Sequence, residues 1–170
     1  MRWTVASETD VAPEGGDGAV GADIRAVKEL LERDGLSVVG PSADDDLSMR
    51  VCANGHDWTM LVVATDDDRL VVYSFLPSAP HRPTADIDAV LGRINAGMIL
   101  GNFEFDEVAL TIRFKTSAGV AGVAVSEPLI RQLVYSNIAA VERYLPVLQA
   151  LARAETSVPE LLELVAATDA

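Results

Sequence analysis

The sequence predicts an α+β domain of order α-β-β-β-α-β-β-α, with an antiparallel sheet, helices packed on one face and an extra C-terminal helix. Three observations carry this. Strand-like segments come in consecutive groups joined by short turns, which makes neighbours antiparallel. Helical segments with 3.6-residue apolar spacing flank those groups and do not alternate with single strands, which disfavours a doubly wound nucleotide-binding fold. The chain has 170 residues, 49% of them hydrophobic. A domain of that size buries about 70% of its unfolded surface and needs no disulfide or metal staple.

Residues 1–21 are rich in Gly, Ala, Glu and Asp and read as a flexible acidic tail. Trp3 within it is either an exposed aromatic or an anchor for the body of this or a neighbouring subunit. The domain proper spans 22–155, and 156–170 form the C-terminal helix. Asp23 is the expected N-cap of the first helix, ahead of Ile24, Val27, Leu30 and Leu31. Gly35 is its expected stop. A short apolar stretch, Leu36 to Val39, ends at Gly40-Pro41.

Leu47, Met49, Val51 and Ala53 alternate with polar residues, the period-2 pattern of a half-buried strand. Asn54-Gly55 then signals a hairpin, because both positions accept positive φ. Trp58–Ala64 is nearly all apolar and reads as a central strand. Asp66–Asp68 make a turn, and Leu70–Leu76 is apolar on both sides. The three prolines of 77–83 break the sheet.

The second helix is expected from Thr84 to Leu100, with Ile87, Val90, Leu91, Ile94 and Met98 as its stripe and Gly101 as its end. A second hairpin follows. Phe103 and Phe105 precede a tight turn at Asp106-Glu107, and Val108, Leu110, Ile112 and Phe114 form the return strand. Residues 117–125 have room for a short extra strand. The third helix starts near Ser126, with Pro128 in its first turn. Its stripe is Ile130, Val134, Ile138, Val141, Leu145 and Leu148, and Pro146 is expected to kink or divide it. Ser157-Val158-Pro159-Glu160 is a capping box for the last helix.

Charge excludes several functions. There are 26 acidic and 13 basic side chains, a net −13, and only two lysines. Nucleic-acid phosphates need clusters of Lys and Arg, and an anionic membrane surface would be repelled. No apolar run reaches 18 residues and no signal peptide is evident, so a cytoplasmic protein is expected. Cys52, the single cysteine, excludes an intramolecular disulfide and fits a reducing compartment.

No catalytic signature is present. His56 and His81 lack metal-ligand spacing and read as loop residues. Asp44–Asp46 and Asp66–Asp68 lack the glycine and distal glutamate of a calcium loop. Cys52 has no activating base assigned to it. No metal or cofactor is therefore expected, and the chain reads as a non-enzyme. Asn95, an amide inside the apolar run of the second helix, needs partners if buried, and a hydrogen bond to the following hairpin is the simplest.

The residues Arg93-Ile94-Asn95, Gly101-Asn102-Phe103-Glu104-Phe105-Asp106, Ser126-Glu127-Pro128-Leu129 and Val141-Glu142-Arg143-Tyr144-Leu145-Pro146 resemble the YbjN-like family. The resemblance covers about 22–153. The turn at Asp106-Glu107 is shorter than the family pattern, and the strand before Asn54 carries no family marker. The resemblance implies a type III secretion chaperone-like fold. Such proteins are small, acidic and often dimeric, and the related chaperones bind extended segments of client proteins.

The sequence reading is therefore a non-enzymatic, chaperone-like or regulatory module. It would take a client segment through its sheet and helix grooves and form a homodimer. Trp58, Met60 and Tyr73 are the candidate client contacts. Phe114, Ile130, Val134 and Ile138 are the candidate dimer interface. Two rival readings are an immunity or antitoxin-type inhibitor of a basic enzyme, and a small-ligand sensor, which would need a closed apolar pocket.

Overall fold

Ile24–Arg33 form α1, whose buried face is Ile24, Val27, Leu30 and Leu31. The Asp23 carboxylate accepts from the backbone N–H of Arg25 at 3.0 Å and of Ala26 at 3.4 Å, satisfying donors that a helix start leaves open. Gly35, at φ +91°, reverses the chain, and the Leu36 N–H closes on the Leu31 carbonyl. The computed structural model describes residues 23–41, 46–53, 55–76, 82–122, 124–153 and 156–169. The 1–21 tail with Trp3, and Asp44, Asp45, Asn54 and His81, lie outside the described residues.

Six strands follow: β1 (Val38–Val39), β2 (Asp46–Ala53), β3 (His56–Thr65), β4 (Arg69–Phe75), β5 (Asn102–Asp106) and β6 (Thr111–Gly119). They form one sheet of order β1-β2-β3-β4-β6-β5. Every neighbouring pair is antiparallel. The helices α2 (Thr84–Ala96), α3 (Glu127–Ala152) and α4 (Val158–Asp169) complete the chain. The α+β class, the antiparallel sheet and the added C-terminal helix are as the sequence predicts.

The local differences have physical reasons. β1 is a sixth strand, and two residues are too few to show a period. The second helix stops at Ala96, with Gly97 as its C-cap, so Met98 leaves the stripe. The second hairpin turn occupies 107–110, not 106–107, and Val108 and Leu110 sit in it exposed. The Asp106 carboxylate holds that turn, accepting the N–H groups of Val108 and Ala109 at 2.9 Å each. Residues 117–119 belong to β6 itself, and no separate strand follows among the described residues. Pro146 does not divide α3, which is one helix of 26 residues.

All four helices bury their apolar residues in one cluster with Leu47, Met49, Val51, Trp58, Met60, Val62, Leu70, Val72, Phe103 and Phe114 of the sheet. That cluster lies on one side of the sheet. α4 joins it through Leu161 and Val165, packing on α2 and α3. The Arg82 guanidinium ties the α3–α4 connection, donating to the carbonyls of Leu151 at 2.8 Å, Arg153 at 3.0 Å and Thr156. Those include helix-end carbonyls without an intrahelical partner.

Candidate functional site

Alternation along the strands gives the sheet two different faces. Even-numbered residues of β3 and β4 point at the helices: Met60 pairs with Ser74 and Val62 with Val72. Odd-numbered residues point the other way: Thr59 pairs with Phe75, Leu61 with Tyr73 and Val63 with Val71. This second face carries none of the helix-side cluster.

The second face is apolar at its centre and charged at its borders. Tyr73 and Phe75 are neighbours on it, with ring centroids 6.0 Å apart. The Arg113 guanidinium lies 5.1 Å from the Tyr73 ring centre, a cation–π distance. Arg113 also donates to Glu104 at 2.9 Å, and Lys115 donates to the same carboxylate. Burial alone would push Glu104 up, but Lys115, Asn102 and Arg113 outweigh it and hold the carboxyl below its usual range. On the opposite border Arg50 pairs with Asp57 at 2.7 Å. A broad groove of about 790 Å³ runs there, past Val39, Ser48, Arg50, Thr59 and Phe75.

Only one of the three expected client contacts faces this side. Tyr73 is half-buried on it, whereas Trp58 and Met60 are buried on the helix side. A strand that is apolar on both faces does not reveal which parity faces the helices. Leu61, Val63 and Phe75 were missed for that reason. Their signal was the clean alternation of Arg113 and Lys115 on β6, which marks the outer parity across the ladder.

The expected dimer residues go elsewhere. Phe114, Ile130 and Val134 are buried in the chain's own core, and Ile138 is partly buried against it. A stripe stepping by three and four serves a core and an interface equally well, and here the sheet fills it.

Two asparagines organise the helix side. Asn95 donates to the Phe103 carbonyl at 2.9 Å and accepts the Phe103 N–H at 2.8 Å. Its amide thus takes the place of a strand partner on the outer edge of β5. Asn137, which the sequence reading did not single out, is fully buried on α3. Trp58 Nε1–H donates to Ser74 Oγ at 2.9 Å, and that hydroxyl donates to Asn137 Oδ1 at 2.6 Å. Asn137 Nδ2 donates to the Val72 carbonyl at 3.0 Å and to Thr116 Oγ1 at 3.3 Å. Thr116 Oγ1 donates to the Leu133 carbonyl at 2.9 Å. The chain of bonds stitches β3, β4 and β6 to α3.

Cys52 is exposed on the second face, across from Asp57. His56 lies at the start of β3, with Nδ1 3.0 Å from Gln149 Nε2 of α3. Asp34, at the end of α1, receives two bonds from Arg131 at 2.8 and 2.9 Å, which hold its carboxyl below the usual range. No helix among the described residues is long and apolar enough to cross a membrane.

No protein-family model matches the chain. No curated protein matches it by sequence. Among solved structures, the crystal structure of YbjN from E. coli, described as a proposed transcription regulator, is similar with a TM-score of 0.52. The similarity covers 76% of this chain and 95% of YbjN, at 14% identity. The α+β architecture described above is thus shared with a known protein, and the chain has the YbjN fold.

Proposed function

We propose that this chain is a non-enzymatic binding module that receives an extended segment of a partner protein on the second face of its sheet, which no helix covers among the described residues (the helix-free face). The observation that supports this is the apolar centre of that face, Leu61, Val63, Tyr73 and Phe75, bordered by the Arg50–Asp57 pair and by Glu104 with Arg113 and Lys115. Such a face offers apolar side chains a place out of water and polar main chain a charged border. The partner's chemistry follows from the molecule's field. A net charge of −13 draws in a segment whose apolar residues are flanked by Lys or Arg and slows acidic competitors.

The test pairs wild-type protein with Leu61→Asp and with Tyr73→Ala, each first shown to melt as wild type does. Affinity capture from the host should recover a partner with wild type, in near one-to-one ratio, and lose it with both variants. Raising salt should slow its association. A partner held equally by the variants, or no partner at all, overturns the reading. A homodimer, as the family resemblance implies, has to pair through surface outside Phe114, Ile130 and Val134, and light scattering on wild type decides whether one forms.

A further inference from the structure

On the helix side of the sheet, at the end where β3 begins and β4 finishes, lies a cavity of about 200 Å³. Its walls are Leu76, Ile112, Leu145 and Leu148, and its rim is Gly55, His56, Asp57 and Gln149. The four aliphatic side chains are nearly inaccessible to water, each exposed by 7% or less. The space opens to solvent on one side, and an apolar floor beneath a polar rim is the lining of a small-molecule site. An apolar cavity of about 150 Å³ is enough to take up benzene.

We propose that this cavity is a binding site for a small neutral molecule with one aromatic ring and a hydroxyl or similar hydrogen-bonding substituent. Volume sets the ring and a substituent of one or two heavy atoms. The walls set the apolar body, since four aliphatic side chains offer a ring nothing but dispersion and release from water. The rim sets the head group. When Gln149 Nε2 donates to His56 Nδ1 across their 3.0 Å contact, Gln149 Oε1 and His56 Nε2 remain to accept from and donate to a ligand.

Charge on the ligand is disfavoured from both directions. The molecule's net −13 repels an anion, and the aliphatic walls would strip water from any ion. Asp57 belongs to the rim, but its carboxylate is paired with Arg50 at 2.7 Å and so does not invite a cation. The pocket shares Asp57 and Leu76 with the groove at the border of the second sheet face but none of that face's apolar centre, so it holds or fails independently of the partner-binding reading.

The probes are benzyl alcohol and toluene, titrated into the full chain and followed by the methyl resonances of Leu76, Ile112, Leu145 and Leu148. Saturable shifts confined to these four residues are expected, with Kd for benzyl alcohol on the order of 0.1–1 mM. Toluene should bind the same place more weakly. His56→Ala and Gln149→Ala should erase most of the preference for the alcohol and leave toluene binding in place, which a merely structural rim would not do. Leu148→Phe fills the space and should weaken both probes at least roughly tenfold. Shifts that do not saturate, that spread over the helix-free face, or that survive Leu148→Phe overturn the assignment. If Leu148→Phe does not fold, the wild-type titration decides alone: unshifted methyls at roughly 20 mM probe overturn it.

Discussion

Asn137 shows how one side chain can specify a packing arrangement. It has no exposed surface, and its amide joins Ser74, Val72 and Thr116 of the sheet to α3. Leucine at this position keeps the volume but leaves the Ser74 hydroxyl and nearby carbonyls without their partner. Asn137→Leu should therefore cost about 2–3 kcal/mol in urea unfolding, and Ser74→Ala added to it should not recover that loss, because it also removes the acceptor of the Trp58 Nε1–H. A neutral Asn137→Leu would contradict the role given to this network. The two asparagines were unequally visible in the sequence. Asn95 stands next to Ile94 in a short apolar run, so its polarity is conspicuous. Asn137 lies between Ser136 and Ile138 in a helix whose stripe already seemed complete, and nothing local marks it as inward-facing. Its partners are 21 to 65 residues away in sequence, so only the folded sheet reveals them.

Helices were legible by their ends. Asp23 caps α1 as expected, and Ser157 and Glu160 exchange capping bonds at the start of α4, with the Ser157 N–H 2.8 Å from the Glu160 carboxylate. Strands were legible as segments but not in their facing, because β3 and β4 are apolar on both sides and period 2 then carries no sign. Gly101 is a further case. It reads as a helix stop, yet α2 has already ended at Ala96. At φ +81° it leads into β5, and a Cβ there would sit 2.6 Å from the Lys115 carbonyl and from Phe114 Cζ. Both the conformation and the space demand glycine. Gly101→Ala should destabilise by about 3 kcal/mol or more, with β5 the strand most exposed to hydrogen exchange. Gly92, inside α2, is the control. Nothing lies within 4 Å of its would-be Cβ, so Gly92→Ala should stabilise by about 0.5–1 kcal/mol. Equal effects from the two substitutions would refute this account.

For the whole molecule, acid is the condition that matters. Asp34, held by Arg131, and Glu127, held by Arg33, lie below their usual range. So do Asp106, held by the Ala109 and Val108 N–H groups, and Glu160, held by Ser157. A carboxyl depressed in the folded state adds stability that is complete above its unfolded value, about 4, and is lost as pH falls through the lower folded value. The melting temperature should thus hold nearly level from about pH 7 to 5 and drop below about pH 4. Arg131→Met should lower neutral stability and shrink that drop. A melting temperature that stays level down to about pH 2 would show that these pairs carry no net stability. The architecture was legible at this scale because element order and the grouping of hairpins survive errors of a few residues at each boundary. Which residues share each sheet face was not legible, because the two central strands are apolar on both sides. The sheet's two margins have one more consequence. At one margin β1 offers only two residues, and at the other the Asn95 amide already occupies both main-chain groups of Phe103. Lateral growth from copy to copy, the route by which exposed strands seed fibres, finds little template on β1 or at Phe103. Concentrated solutions of this protein should stay clear of fibrillar, dye-binding assemblies, and weakening the Asn95 plug is the place where that immunity would first give way.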